Sequence, residues 1–252
     1  MITLVVLALG LVAAPEHAEH TAKKKPVGRH AAIAIPIDVG VGPVAMIANP
    51  PATNAQLVFS GLELSLAAVI DQQLIREHQA QIPAQYRRLA RGIDEAEIRP
   101  WFLALVPSRL IISPLVTELG GGTIYGEGAG MYGAVWRPFG AGFTLLDKPV
   151  RVGVNGAVDV AYIFIHSPVL GGGTTATNSI THFLRPGVNL NLTATLPITK
   201  TLLISAGWSS DLFVPQPFGR PPWEIFPVED SLWHLGGPFV AVHVRIPYEV
   251  NL

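Results

Sequence analysis

Apolar residues recur at every second position along most of this chain. The pattern is plainest between 150 and 165. There Val150, Val152, Val154, Val158, Val160, Tyr162 and Phe164 share one parity, and Arg151, Gly153, Asn155, Ala157, Asp159 and Ala161 share the other. A period of two belongs to a β-strand, whose side chains leave alternate faces, and not to a helix. One face therefore needs a non-aqueous surface along its whole length. The opposite face carries a guanidinium, an amide and a carboxylate, which a dry core does not accept unpaired. The same two-faced run returns at Ile33 to Val41, at Val58 to Ile70, at Leu184 to Leu196, at Leu202 to Trp208 and at Val240 to Leu252. Arg109 to Thr117 and Thr123 to Arg137 add two more, the second rich in glycine.

A strand of about ten or more residues, apolar on one side and small or polar on the other, is the repeating unit of a membrane-spanning β-barrel. The connections are marked by Asn49-Pro50-Pro51, by Gly120-Gly121-Gly122, by the glycine-rich stretch 166–179, by Pro197 to Lys200 and by the proline-rich stretch 215–231. Residues 138–149 read as a longer connection. Residues 72–107 break the alternation: Leu74, Ile75, Ile82, Tyr86, Leu89, Ile93 and Ile98 fall nearer a helical period and stop near Pro100. That spacing predicts a helical insert between the second and third strands. Its Tyr86-Arg87-Arg88-Leu89-Ala90-Arg91 run, followed by Trp101 and Phe102, is where anionic head groups or a protein partner would meet it. Residues 1–14 form an apolar run ending in small residues and read as a signal peptide. Residues 15–30 read as a flexible lead-in whose His17 and His20 do not make a metal site, which leaves 31–252 as the barrel domain.

Composition narrows the class. With 49% hydrophobic residues, 14% charged residues and a mean hydropathy of +0.40, the chain has more apolar surface than a soluble core of this size uses. A net charge of −1 excludes the nucleic-acid binders. The absence of cysteine excludes disulfides, thiolate chemistry and cysteine-ligated zinc. The 25 glycines and 22 prolines, spread along the chain, suit a turn-rich all-β protein.

The tally of about eight strands, with short connections on one side and long ones on the other, resembles the small bacterial outer-membrane β-barrel proteins. The expected fold is thus all-β: an antiparallel transmembrane barrel of about eight strands with the helical insert. The resemblance implies location in the bacterial outer membrane, contact with its lipid, and recognition by the barrel-assembly machinery. That last signal falls on Val244, Ile246, Tyr248, Val250 and Leu252, with leucine where the family's signal commonly ends in phenylalanine. Eight strands leave an interior filled by side chains. The inward candidates Asp38, Glu63, Glu127, Arg151, Asp159, Arg185, Asp211, His243, Arg245 and Glu249 carry both signs, so an internal salt-bridge network is expected.

Some outer-membrane barrels modify lipids with histidine, serine and an acid near the outer rim. Here His166, Ser167, His182, Ser210 and Asp211 would lie toward that end, but at no recognisable spacing. The glycine runs lack the lysine and hydroxyl residue of a phosphate loop, and no cofactor or metal motif is present. The favoured expectation is a barrel with a structural, interaction or narrow-pore role and no catalysis. The alternatives are a rim-sited hydrolase or acyltransferase acting on lipid, and a soluble secreted β-sandwich whose apolar faces bury each other across a dry core.

Overall fold

The computed structural model describes residues 32–48, 57–71, 93–99, 103–118, 130–167, 179–214 and 233–251. Among them lie β1 (Ala32–Ala48), β2 (Leu57–Asp71), β3 (Glu95–Ile98), β4 (Arg109–Glu118), β5 (Gly130–Leu146), β6 (Arg151–Ser167), β7 (Ser179–Pro197), β8 (Leu202–Phe213) and β9 (Trp233–Asn251). All pairings are antiparallel, and the sheet closes on itself because β1 pairs with β9 on one side and β2 on the other. The strands β3 and β4 share one place in the ring. β2 pairs with β4 along Leu57 to Ser65 and with β3 along Ala68 to Asp71, and β5 meets the same two strands on the far side. The protein is therefore a ring of eight antiparallel staves, the third made of two strands end to end. Closure gives every described strand a partner on both sides, the condition for β-structure in hydrocarbon.

The third stave corrects the expected helical insert. Where 72–107 is described it holds the strand β3 and a turn. Residues 103–107 lie outside the ladder, and Ser108 resumes it by accepting from Leu66 N–H at 2.8 Å and donating to Val135 C=O at 2.7 Å. Trp136 Nε1 on the outer wall donates to Leu105 C=O at 3.3 Å and holds the loop outside the ring. Residues 72–92, like the expected signal peptide and lead-in, lie outside the described residues. The expected connection at 138–149 is also corrected. Most of it is the second half of β5, and the turn is only 147–150. A bulge at Arg137 and Pro138, opposite Asp159, reverses the parity of β5. Ser113 and Pro114, opposite Gly61, do the same in β4, which puts Leu115 outside and Val116 inside.

The even parity of β6 and β7 faces outward. Leu190 and Leu192 are half exposed, as are Val240, Val242 and Val244 on β9, and no second sheet covers them among the described residues. That excludes a β-sandwich. Tyr132, Tyr162 and Trp208 add outward aromatics, and the Tyr132 and Phe164 rings pair across β5 and β6 with centroids 6.0 Å apart. The inner parity is divided along the axis. Toward the loop end Met46, Leu57, Phe59, Ile111, Met131, Ile163, Ile165, Phe213 and Leu235 are all at most 2% exposed and form one apolar cluster. This plug was not expected: the salt-bridged interior read from the inward charges occupies only one half of the lumen, and the other half is apolar around Arg185.

Candidate functional site

Below the plug the inner parity turns polar on one stave after another. Arg109 projects from β4, and its guanidinium bonds Glu63 of β2 through Nε at 2.9 Å and Nη2 at 2.8 Å. Its Nη1 reaches both oxygens of Asp211 on β8 at 3.0 Å. Asn189 of β7 donates to Asp211 at 2.6 Å and to Ser209 at 3.1 Å. The bulge in β5 aims Arg137 inward, where Nε and Nη2 hold Asp159 at 2.8 and 2.9 Å and Nη1 holds Glu97 at 3.1 Å. Arg109, Arg137, Asp159 and Asp211 are all buried, so each charge depends on its partners and not on water.

Nearer the turn end Arg245 of β9 bonds Asp38 of β1 at 2.7 Å through both Nε and Nη2. Arg151, which is half exposed, reaches Asp147 at 3.4 Å and comes within 3.9 Å of Glu95. Ser205 Oγ and His243 Nε2 share a hydrogen bond of 2.5 Å, and Asn155 donates to Thr193 at 3.2 Å. These groups surround a cavity of about 230 Å³. Its floor is the charged layer under the plug, and its mouth is the end that carries the turns 147–150 and 198–201 and the paired ends of β1 and β9.

The inward candidates from the sequence thus fall in different places. Asp38, Glu63, Arg151, His243 and Arg245 line the cavity, and Asp159 and Asp211 lie behind it. Arg185 sits higher, 1% exposed, and bonds Val214 C=O at 3.2 Å. Glu127 lies outside the described residues, and the side chain of Glu249 is not described. The network also contains residues that sequence reasoning missed. Arg109 had the right parity and was passed over, the bulge hid Arg137, and assignment of 72–107 to a helix hid Glu95 and Glu97.

Of the rim candidates whose side chains are described, Ser210 and Asp211 do not come together. Ser210 and Asp211 leave opposite faces of β8, and Asp211 is committed to Arg109. Ser210 instead bonds His234 Nε2 at 2.7 Å on the outer face. Gly236 makes room for that ring, since a Cβ there would come within 2.8 Å of Nε2. His166 is half-buried, and the side chains of Ser167 and His182 are not described. Of the C-terminal residues, Val244 and Ile246 face outward and exposed, and Tyr248, Val250 and Leu252 have no described side chain. Among the described residues no group of three histidines or acids could hold a metal ion.

No protein-family model matches this chain, and no curated protein is similar to it. Several solved structures are, among them the following two. The chain resembles Neisserial surface protein A at 9% identity over 83% of this chain and 97% of that one, with a TM-score of 0.45. It resembles the N-terminal β-barrel domain of Pseudomonas aeruginosa OprF at 10% identity over 84% and 97%, with a TM-score of 0.33. Both are likenesses of barrel form. Ring closure in this protein is read from its own strand pairing.

Proposed function

We propose that this protein is an integral outer-membrane β-barrel with a structural or interaction role, and that it neither conducts solute nor carries out catalysis. The supporting observation is the pairing of an apolar outer wall with a lumen sealed by the dry plug from Met46 to Leu235. A wall of half-exposed valines and leucines suits acyl chains. The apolar side chains of the plug give an ion nothing to replace its hydration shell, and the Arg185 guanidinium buried at their level bonds Val214 C=O, so conduction has no path through it. In this reading the turn end faces the periplasm and the longer connections face outward, as in bacterial barrels. The signal read at Val244, Ile246, Tyr248, Val250 and Leu252 is what the assembly machinery engages.

The test is folding of the full chain into detergent and then lipid. Folded barrel should migrate differently from boiled protein on a gel, give a β-type CD spectrum, and produce no steady current in a planar bilayer. A water-soluble product without heat-dependent migration would refute the membrane reading. Regular current steps would refute the sealed lumen.

A further inference from the structure

The cavity below the plug uses its donors on its own walls. Every guanidinium nitrogen of Arg109 and of Arg137 bonds a wall carboxylate, and Arg245 is bidentate to Asp38. Toward the floor of the cavity what is left is acceptors, while Arg151, half exposed at the mouth, still has donors to offer. Asn189 is 0% exposed and its Oδ1 accepts no hydrogen bond, because its amide nitrogen serves Ser209 and Asp211. Asn191 Oδ1, two residues along the same inner face, is likewise buried and without a donor. On the far wall, with β5 and β6 between, Glu95 lies 3.7 Å from Arg245 and 3.9 Å from Arg151, beyond hydrogen-bond length from both.

A buried acceptor without a donor is unfavourable, and a ligand that brings N–H groups would relieve it. The cavity lining is balanced in charge, with Asp38, Glu63, Glu95 and Glu97 against Arg109, Arg137, Arg151 and Arg245, so the ligand is selected by the unpaired acceptors and not by net charge. The geometry points to a binding site for a small organic ammonium, best a diammonium, with one end at Glu95 and the other at the amide oxygens of Asn189 and Asn191. A hard metal ion is the poorer occupant, since among the described residues no three acids or histidines converge.

The experiment titrates 1,4-diaminobutane into the detergent-folded full chain by calorimetry, with methylammonium and magnesium as comparison ligands. Saturable one-to-one binding is expected, stronger for the diamine than for methylammonium and not displaced by magnesium. Glu95→Gln and Asn191→Leu should each weaken it at least about tenfold, the loss of one charge-assisted hydrogen bond. Both variants are first checked for heat-dependent migration, and if one fails to fold the other carries the test. Absence of saturation in the millimolar range, binding that both variants retain, or displacement by magnesium would each overturn the proposal.

Discussion

The charged layer under the plug makes a quantitative prediction at Arg109. Replacement by methionine keeps the volume roughly constant and deletes four hydrogen bonds at 2.8 to 3.0 Å to Glu63 and Asp211. The two stranded carboxylates fare differently. The Glu63 side chain is 21% exposed and borders the cavity, so it rehydrates in part, whereas Asp211 is 2% exposed and keeps only Asn189. Removing one partner of a buried ion pair costs about 3–5 kcal/mol, because the other charge is left uncompensated, and here most of that cost falls on Asp211. The loss should vanish when the charges go together. The triple variant Glu63→Gln, Arg109→Met, Asp211→Asn should lie within about 1 kcal/mol of the parent, as neutral replacements of buried ion networks commonly do. Urea unfolding from lipid vesicles, followed by tryptophan fluorescence and gel migration, measures both. A cost below about 1 kcal/mol for Arg109→Met, or a triple variant as unstable as the single one, would refute the claim that these charges depend on each other and not on water.

Three further outcomes follow from the same geometry. Leu190→Arg places a charge on the outer wall at a half-exposed position and should cost roughly 2–4 kcal/mol in vesicles, while Asn155→Arg, directed into the cavity, should cost clearly less; equal costs in the same urea assay would mean the faces are reversed. Gly42→Ala drives a Cβ onto the carbonyl oxygen of Val240 and should cost about 1–3 kcal/mol or prevent folding, whereas Gly156→Ala meets only Leu190 at 3.7 Å and should be tolerated, as refolding yields would tell. Phe59→Ala opens the plug at a fully buried side chain and should lower stability by about 3–5 kcal/mol in the same urea assay, and a loss under about 1 kcal/mol would mean the plug is not packed.

Much of the fold could be read from the parity of its residues. In β6 and β7 the valines and leucines of one parity face out and Asn155, Asp159, Asn189 and Asn191 face in, because a strand allows its side chains no third direction. What parity cannot carry through is a bulge. At Arg137 and Pro138 one partner residue faces two, and every position downstream changes side without any change in composition. Arg137 therefore read as the end of a strand, although it is the second guanidinium of the charged layer. Glu95 and Glu97 were lost differently. A strand as short as β3 is too brief to establish a period of its own, and the apolar residues around it at Leu89, Ile93 and Ile98 happen to suit a helix.

The division of the lumen was written in the sequence in a form that single-strand patterns do not show. On four staves a buried charge is followed or preceded, two residues away on the same face, by an apolar residue of the plug: Arg109 by Ile111, Arg137 by Val135, Asp159 by Ala161 and Asp211 by Phe213. On each strand this looks like an ordinary interruption of the inner parity. Placed side by side by the ladder registers, the interruptions form one boundary around the ring. That boundary explains why the charges pair so fully. The plug denies them water from above, so each guanidinium must find its acceptors within the layer, and the donors it uses there are the ones the cavity below no longer has. The same sealing that removes a pore therefore produces a chamber whose buried amide oxygens, on Asn189 and Asn191, are left without a donor, at the end of the barrel that remains open.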